Sequence, residues 1–311
     1  MIDKDPLFEE GWIRFNEYKW GVKANIIDLS PTNKWRLKTV IYLNKKGKIV
    51  LPPRNPYLPI YFECEAENLP KINARKREAF NALCDIYVEK GIHERVAFSP
   101  NIMDMRSFNW KNFIVMPIYT YHIDIETFTD NARNSVINKA KKAKKKGYYC
   151  EISTDYEAIE NCLRFAESRK PFKHHTGKKD LEYLANMLGD DTFICFLAWD
   201  KDRKPVGTWI RLFEKNGGIV HAWSASVENS ALRDGVNSLL GEFAFEYFEQ
   251  QKCKIFDFGG ANLPSVANMK ENWGGELVTY YTIRERNFKN LLKEIYFHSK
   301  QGYNRFKGWV R

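Results

Sequence analysis

Residues 256–275 read Phe-Asp-Phe-Gly-Gly-Ala-Asn-Leu-Pro-Ser-Val-Ala-Asn-Met-Lys-Glu-Asn-Trp-Gly-Gly, and the lysine in that run, Lys270, is well placed for chemistry. The apolar run 255–258 stops at Gly259-Gly260, where the missing Cβ lets a ligand or a second backbone come close. Ligands of α/β proteins gather at such strand ends, and a cation there can meet negative charge developing on a reacting group. Three further positions could move a proton. Asp257 alternates with Phe256 and Phe258 and so faces away from them; it either accepts a proton or hydrogen-bonds the Gly259 turn. His221 has the intrinsic pKa of a base near neutrality, although Val220, Ala222 and Trp223 around it equally suit a structural histidine. Tyr280 and Tyr281 point to opposite faces of one strand, so one at most reaches the site. Tyr281 is the candidate for protonating a leaving group, with core packing as the alternative.

The elements that must hold these residues follow from pattern. Segments 39–43 and 48–51 flank Asn44-Lys-Lys-Gly47 as a hairpin does. Residues 51–59 carry four prolines, a stiff exposed loop that bears Arg54 and Tyr57. A helix over 71–90 has Ile72, Phe80, Leu83, Ile86 and Tyr87 on its apolar side, and short strands at 95–98 and 113–116 follow. Further on come helices 156–169 and 179–188 with a polar loop, 171–178, between them. Successive antiparallel strands occupy 192–200, 206–214 and 218–226, with turns at 200–205 and 214–218. A helix over 230–250 buries Leu232, Val236, Leu239, Leu240, Phe243, Tyr247 and Phe248 and leads into the strand at Ile255; a β-rich run, 277–283, closes the pattern. Two halves of similar pattern result, 1–120 and 121–311.

The order and spacing of these motifs resemble the FemAB-like branch of the GNAT acyltransferases. Asp257-Phe-Gly-Gly, Met269-Lys270-x-x-Trp273-Gly-Gly and Tyr280-Tyr281 are similar to that branch's closing signature, with Met269 where phenylalanine is usual. Trp110-Lys-Asn-Phe113, Tyr119-Thr-Tyr-His-Ile-Asp-Ile125 and Arg133-x-x-Val-Ile-x-Lys139-Ala140 resemble its tyrosine-bearing strand and the helix after it. With Trp223-Ser-Ala-Ser226, the likeness covers roughly residues 35–285. It implies an α+β (mixed α/β) fold of two tandem GNAT-like units, each a twisted mixed sheet flanked by helices, sharing a cleft. It implies an N-acyltransferase in which an acceptor amine attacks a bound thioester or ester directly, with Lys270 facing the donor ester. The implied donor is acetyl-CoA or another acyl-CoA; the alternative is aminoacyl-tRNA, used to add an amino acid to a cell-wall precursor. The GNAT pyrophosphate turn, Arg-x-x-Gly-x-Gly/Ala, is degraded here to Arg233-Asp-Gly235-Val-Asn237. Arg233, Gly235 and Asn237 are therefore the candidates for a donor phosphate, and a non-catalytic anion- or RNA-binding repeat stays open. The implied acceptor is a small anionic molecule with an amino group, cell-wall or sugar-linked, met by Arg54, Tyr57, Arg133, Trp223 and Asn262.

Composition sets the bounds. A chain of 311 residues, 44% hydrophobic and 15% aromatic, can fill the cores of about two domains. Six cysteines at 64, 84, 150, 162, 195 and 253 form no C-x-x-C pair and read as reduced core thiols of a cytoplasmic protein. Six histidines show no metal-ligand spacing, so no metal is expected. Met-Ile-Asp-Lys-Asp at the start lacks the basic and apolar parts of a signal peptide, and the densest apolar run, 193–199, is too short to span a bilayer. The net charge is +10, and residues 133–146 hold Arg133, Lys139, Lys141, Lys142, Lys144, Lys145 and Lys146 with no acid. That helix is either a solvated face whose lysines suit the negative end of the dipole, or an anion-facing one for cofactor phosphates or RNA. Without interleaved aromatics, recognition of DNA or of single strands is not its primary work.

Overall fold

The computed structural model describes residues 5–31, 33–169 and 173–286. The loop 171–178 lies partly, and the second half beyond 286 wholly, outside the described residues. In chain order the first half forms α1 (Glu10–Trp20), β1 (Lys23–Leu29), β2 (Trp35–Leu43), β3 (Ile49–Val50), β4 (Ile60–Cys64), α2 (Leu69–Lys90), β5 (Val96–Ala97), α3 (Arg106–Trp110) and β6 (Phe113–Asp124). The rest forms α4 (Phe128–Asn131), α5 (Asn134–Lys145), β7 (Tyr149–Ile152), α6 (Tyr156–Glu167), α7 (Lys178–Leu188), β8 (Phe193–Trp199), β9 (Pro205–Phe213), β10 (Ile219–Val227), α8 (Asn229–Asp234), α9 (Val236–Gln250), β11 (Ile255–Asp257), α10 (Pro264–Glu271) and β12 (Glu276–Glu285). Local chemistry sets the ends. Asn68 caps α2 by accepting from the Lys71 amide, and Asp155 caps α6 by accepting from that of Ala158.

The fold is mixed α/β. One sheet is antiparallel and four-stranded, β1-β2-β3 with β4 also on β2; the other runs β5-β12-β6-β11-β10-β9-β8-β7. Within the larger sheet β10 and β11 are parallel, and the remaining neighbours are antiparallel. Residue 120 lies inside β6, near the middle of this sheet, so the sheet draws strands from both halves of the sequence. The ten-residue pairing of β12 with β6 makes that seam continuous.

Alternation along the strands divides the core. Val220, Phe256, Trp209 and Ile123 face a cluster closed by α5 and α9. Ile210, Leu212, Trp223 and Tyr280 face another, closed by α1, α6 and α7. The small sheet packs on α2 and α3 through Leu37, Phe80 and Phe108. Early though it is in the chain, α1 lies on α7, tied by Lys19 to Asp180 at 2.7 Å. Gly241 on α9 sits under the Trp273 ring, where a Cβ would overlap the ring carbons. Gly241→Ala is expected to destabilise the protein by about 1–3 kcal/mol through overpacking. Urea unfolding of the two proteins checks this, and an unchanged midpoint would show that the ring has room to move.

Candidate active site

The site is made by strands that part. β10 and β11 pair only over Ile219–His221 and Ile255–Asp257. Beyond Asp257 the chain leaves β10 and follows β6: the Phe258 amide donates to Tyr121 O at 3.0 Å, and that of Ala261 to Tyr119 O at 2.6 Å. β10 runs on beside β9 with a register shift between Ala222 and Ser224. A cavity of about 300 Å³ opens in the gap, lined among others by Arg54, Tyr57, Trp223, Gly259, Gly260, Lys270 and Tyr280. Gly259 turns the chain at φ +63°, a conformation that favours glycine.

Lys270 reaches this turn from α10. Its ammonium donates to the carbonyls of Phe258 (2.7 Å), Gly259 and Gly260 (2.9 Å), so it staples the Gly-Gly corner and leaves its charge in the cavity wall. Burial lowers its pKa to about 8; Asp257 opposes that shift and Arg211 adds to it.

Asp257 is 1% exposed and its oxygens are taken. Thr120 Oγ1 (2.6 Å) and the Gly259 amide (2.8 Å) donate to Oδ1, and the Tyr57 hydroxyl (2.7 Å) donates to Oδ2. Burial works to raise its pKa, but hydrogen bonding and charge from His122 and His221 prevail and hold it well below the usual carboxylate range. A carboxylate so satisfied and held ionised orients the turn and is a poor acceptor for a substrate's proton.

His221 is also sealed, with Nε2 donating to Asp5 Oδ1 at 3.1 Å and Nδ1 3.8 Å from Asp257 Oδ2. Burial pulls its pKa down, but Asp5 and Asp257 carry it up to about 9, so at neutral pH it is an imidazolium between two carboxylates. It lines a separate cavity of about 290 Å³ together with His122 and Lys254, away from Lys270. Of the two tyrosines, the alternation of β12 brings Tyr280 to the Lys270 cavity. Tyr281 faces the opposite side, beside Asp104 and Arg106. Burial raises the Tyr280 phenol to about 12, and its ring meets Tyr57 edge-on at 4.9 Å.

Arg54 closes the cavity from the proline-rich loop. Its Nη2 donates to Trp223 O (2.5 Å) and Ser224 Oγ (2.8 Å), while Trp223 Nε1 donates back to Arg54 O (3.1 Å). Tyr57 and Trp223 line the cavity as well, Asn262 stands at its edge beside Gly260 and Tyr280, and Arg133 is not among its walls. Asn262 pairs its amide with both backbone groups of Tyr119, extending the β6 edge, and Arg133 stands exposed before α5, its amide donating to Asn272 O. The donor-phosphate candidates lie against α5. Gly235 has φ +99°, and a Cβ there would overlap the Lys139 carbonyl; Asn237 Oδ1 accepts from Trp209 Nε1; the Arg233 carbonyl accepts from Lys142. This glycine serves helix packing, and the turn does not form an open pyrophosphate cradle. Three of the α5-region lysines also have acids: Lys142 and Lys146 meet Asp234, and Lys144 meets Glu242.

Sequence reasoning missed Arg211. It is 1% exposed, its guanidinium 4.1 Å from the Trp209 ring centre and 5.2 Å from that of Phe256. Nη1 donates to the carbonyls of Ile210 and Ser224, both at 2.9 Å, and burial lowers its pKa to about 9. The signal was present: one arginine inside Thr-Trp-Ile-Arg-Leu-Phe, an otherwise apolar strand.

No family model and no curated protein matches the sequence. Solved structures do match. The chain is similar to FemX (TM-score 0.64, 12% identity, 94% of each chain covered). It is similar also to L-PGS from Bacillus licheniformis (0.56, 11%, 94% of this chain and 92% of that one). A conserved protein of unknown function from Bacteroides thetaiotaomicron VPI-5482 matches as well (0.58, 9%, 91% and 93%). At these identities the likeness speaks for fold alone: the chain shares the fold of FemX and L-PGS. No helix among the described residues is long and apolar enough to cross a membrane.

Proposed function

We propose that the protein is an acyltransferase that passes an activated acyl group directly to an acceptor amine in the cavity between β10 and the Gly259–Gly260 turn. The observation that carries this is the buried ammonium of Lys270 in the wall of that cavity, fixed by three carbonyls. A preorganised cation costs no rearrangement when an oxyanion develops beside it, and it acts more strongly there than in water. The cavity offers no free base: Asp257 is satisfied, and the phenols of Tyr57 and Tyr280 are neutral. Its cations supply the alternative. An ammonium placed beside Lys270 and Arg54 loses its proton more readily than in water and attacks as the neutral amine. The N–C bond forms, the bond from the acyl carbon to the leaving oxygen or sulfur breaks, and the proton shed by the attacking nitrogen passes to that departing atom, which the neutral Tyr280 phenol can hydrogen-bond.

For the donor we favour an aminoacyl-tRNA over acyl-CoA. The turn that would hold a CoA pyrophosphate is filled by α5, whereas Arg133, Lys139, Lys141 and Lys145 are exposed with no ion pair among the described residues. Four such contacts give a salt slope near −3.6, a loss of about 10²-fold in affinity between 50 and 200 mM salt. Binding of aminoacyl-tRNA across that range, with the four residues intact and replaced by glutamine, tests the donor. If acetyl-CoA instead raises the melting temperature and tRNA binding shows no steep slope, acyl-CoA becomes the donor.

A further inference from the structure

Buried guanidiniums in proteins are ordinarily paired with acids, because an uncompensated charge away from water is costly. Here two are not. Among the described residues no carboxylate lies at ion-pair distance from Arg54 or Arg211, and their hydrogen bonds go to neutral oxygens. Both converge on Ser224, Arg54 at its hydroxyl and Arg211 at its carbonyl. Arg54 Nε is buried without a partner, and Nη1 makes no hydrogen bond. Lys270 adds a third cation. Asp257, the carboxylate whose charge Lys270 feels, is already closed off by Thr120, the Gly259 amide and Tyr57. Of the three, Arg54 and Lys270 line the cavity and Arg211 lies behind its wall, so the cavity is a preformed positive site in which an anion would relieve repulsion between like charges.

Its size narrows the anion. About 300 Å³ is at the small end of ligand pockets, too small for a whole nucleotide-sugar and ample for one amino-acid unit. Tyr57, Trp223 and Tyr280 give it aromatic walls, and the cationic end belongs to Arg54. We propose that the acceptor enters as an amino-acid-sized unit whose free carboxylate docks on Arg54 and whose amine turns toward the Gly259–Gly260 corner. This inference rests on the transferase reading, since it makes that amine the nucleophile.

Binding without any donor tests it. Glycine, L-alanine and L-glutamate would be compared with L-alaninamide, inorganic phosphate and O-phosphoethanolamine by thermal shift and calorimetry. The expected result is a rise in melting temperature with at least one free amino acid and none with the amide. Arg54→Gln should weaken that binding by about tenfold or more, the loss of one charge-assisted contact, with Arg54→Lys retaining part of it. Should Arg54→Gln fail to fold, the acid-to-amide comparison on the native protein decides alone. Equal shifts with acid and amide, shifts with the phosphates only, no shift at all, or a folded Arg54→Gln that binds normally would each overturn the proposal. Transfer to some other amine in spite of such a result would leave the transferase reading standing. Binding that holds while no donor supports transfer would overturn that reading alone.

Discussion

Lys270→Met is expected to lower kcat by about 10²- to 10³-fold, the usual loss when one preorganised stabiliser of developing charge is removed. The side chain has two effects, and they separate experimentally. Its charge acts on the oxyanion, which exists only in the transition state, so kcat should fall with KM little changed. Its three hydrogen bonds hold the Gly259–Gly260 corner, so the melting temperature should fall too, by the equivalent of about 1–3 kcal/mol for carbonyls left without a donor. A pH profile adds a signature that a merely structural lysine would not give. With its pKa lowered to about 8, Lys270 is charged below that pH and loses its charge above it. The wild-type rate should therefore decline on the alkaline side of about pH 8, and that limb should be missing from the residual activity of the variant. A variant with native kcat toward a verified donor and acceptor would reduce Lys270 to a staple for the turn.

What the sequence made legible was whatever lay close together along it. Asp257, Gly259, Gly260 and Lys270 fall within fourteen residues, and one glycine-ended strand followed by one short helix brings them together. The meander expected at 192–200, 206–214 and 218–226 stands as Phe193–Trp199, Pro205–Phe213 and Ile219–Val227, because strong alternation and polar turns left little choice. The helix expected over 230–250 is broken at Gly235, whose φ of +99° periodicity cannot register. The strand expected at 113–116 runs on to Asp124; Pro117 is accommodated within it, and its neighbour β12 comes from more than 150 residues away. Distance along the chain hid the rest. Arg54 meets Trp223 across 169 positions and Asp5 meets His221 across 216, so no local pattern could pair them. Tyr280 and Tyr281 could be assigned to opposite faces from the sequence, but which face held the cavity depended on where α1, α6 and α7 lie.

Between pH 6.5 and pH 9 the protein is expected to lose about 3 kcal/mol of stability through a single buried imidazole. In the folded chain His221 titrates near 9, raised from 6.5 by Asp5 and Asp257 against the opposing effect of burial. A folded-state pKa above the unfolded one means that the imidazolium's contribution is complete below about pH 6.5 and is lost as the pH rises through 9. A difference of about 2.5 pKa units corresponds to about 3 kcal/mol. Asp257 has the opposite sign. Its folded pKa is depressed, so its contribution is complete above the ordinary carboxylate range and is lost only on acidification below it. Together they place this network's optimum between about pH 4 and 6.5. Lys270 works against the decline at high pH, because its lowered pKa makes the folded state more favourable as the lysine discharges above about 8. The informative quantity is therefore the difference between wild type and His221→Gln in urea unfolding across pH 5–10. The variant leaves Asp5 and Asp257 facing each other without the intervening cation and should be about 3–5 kcal/mol less stable at pH 6. As the wild type loses its own charge the gap should narrow, nearly closing by pH 10. A gap that stays constant across the range would mean that His221 takes up no extra proton on folding and is not an imidazolium between these carboxylates.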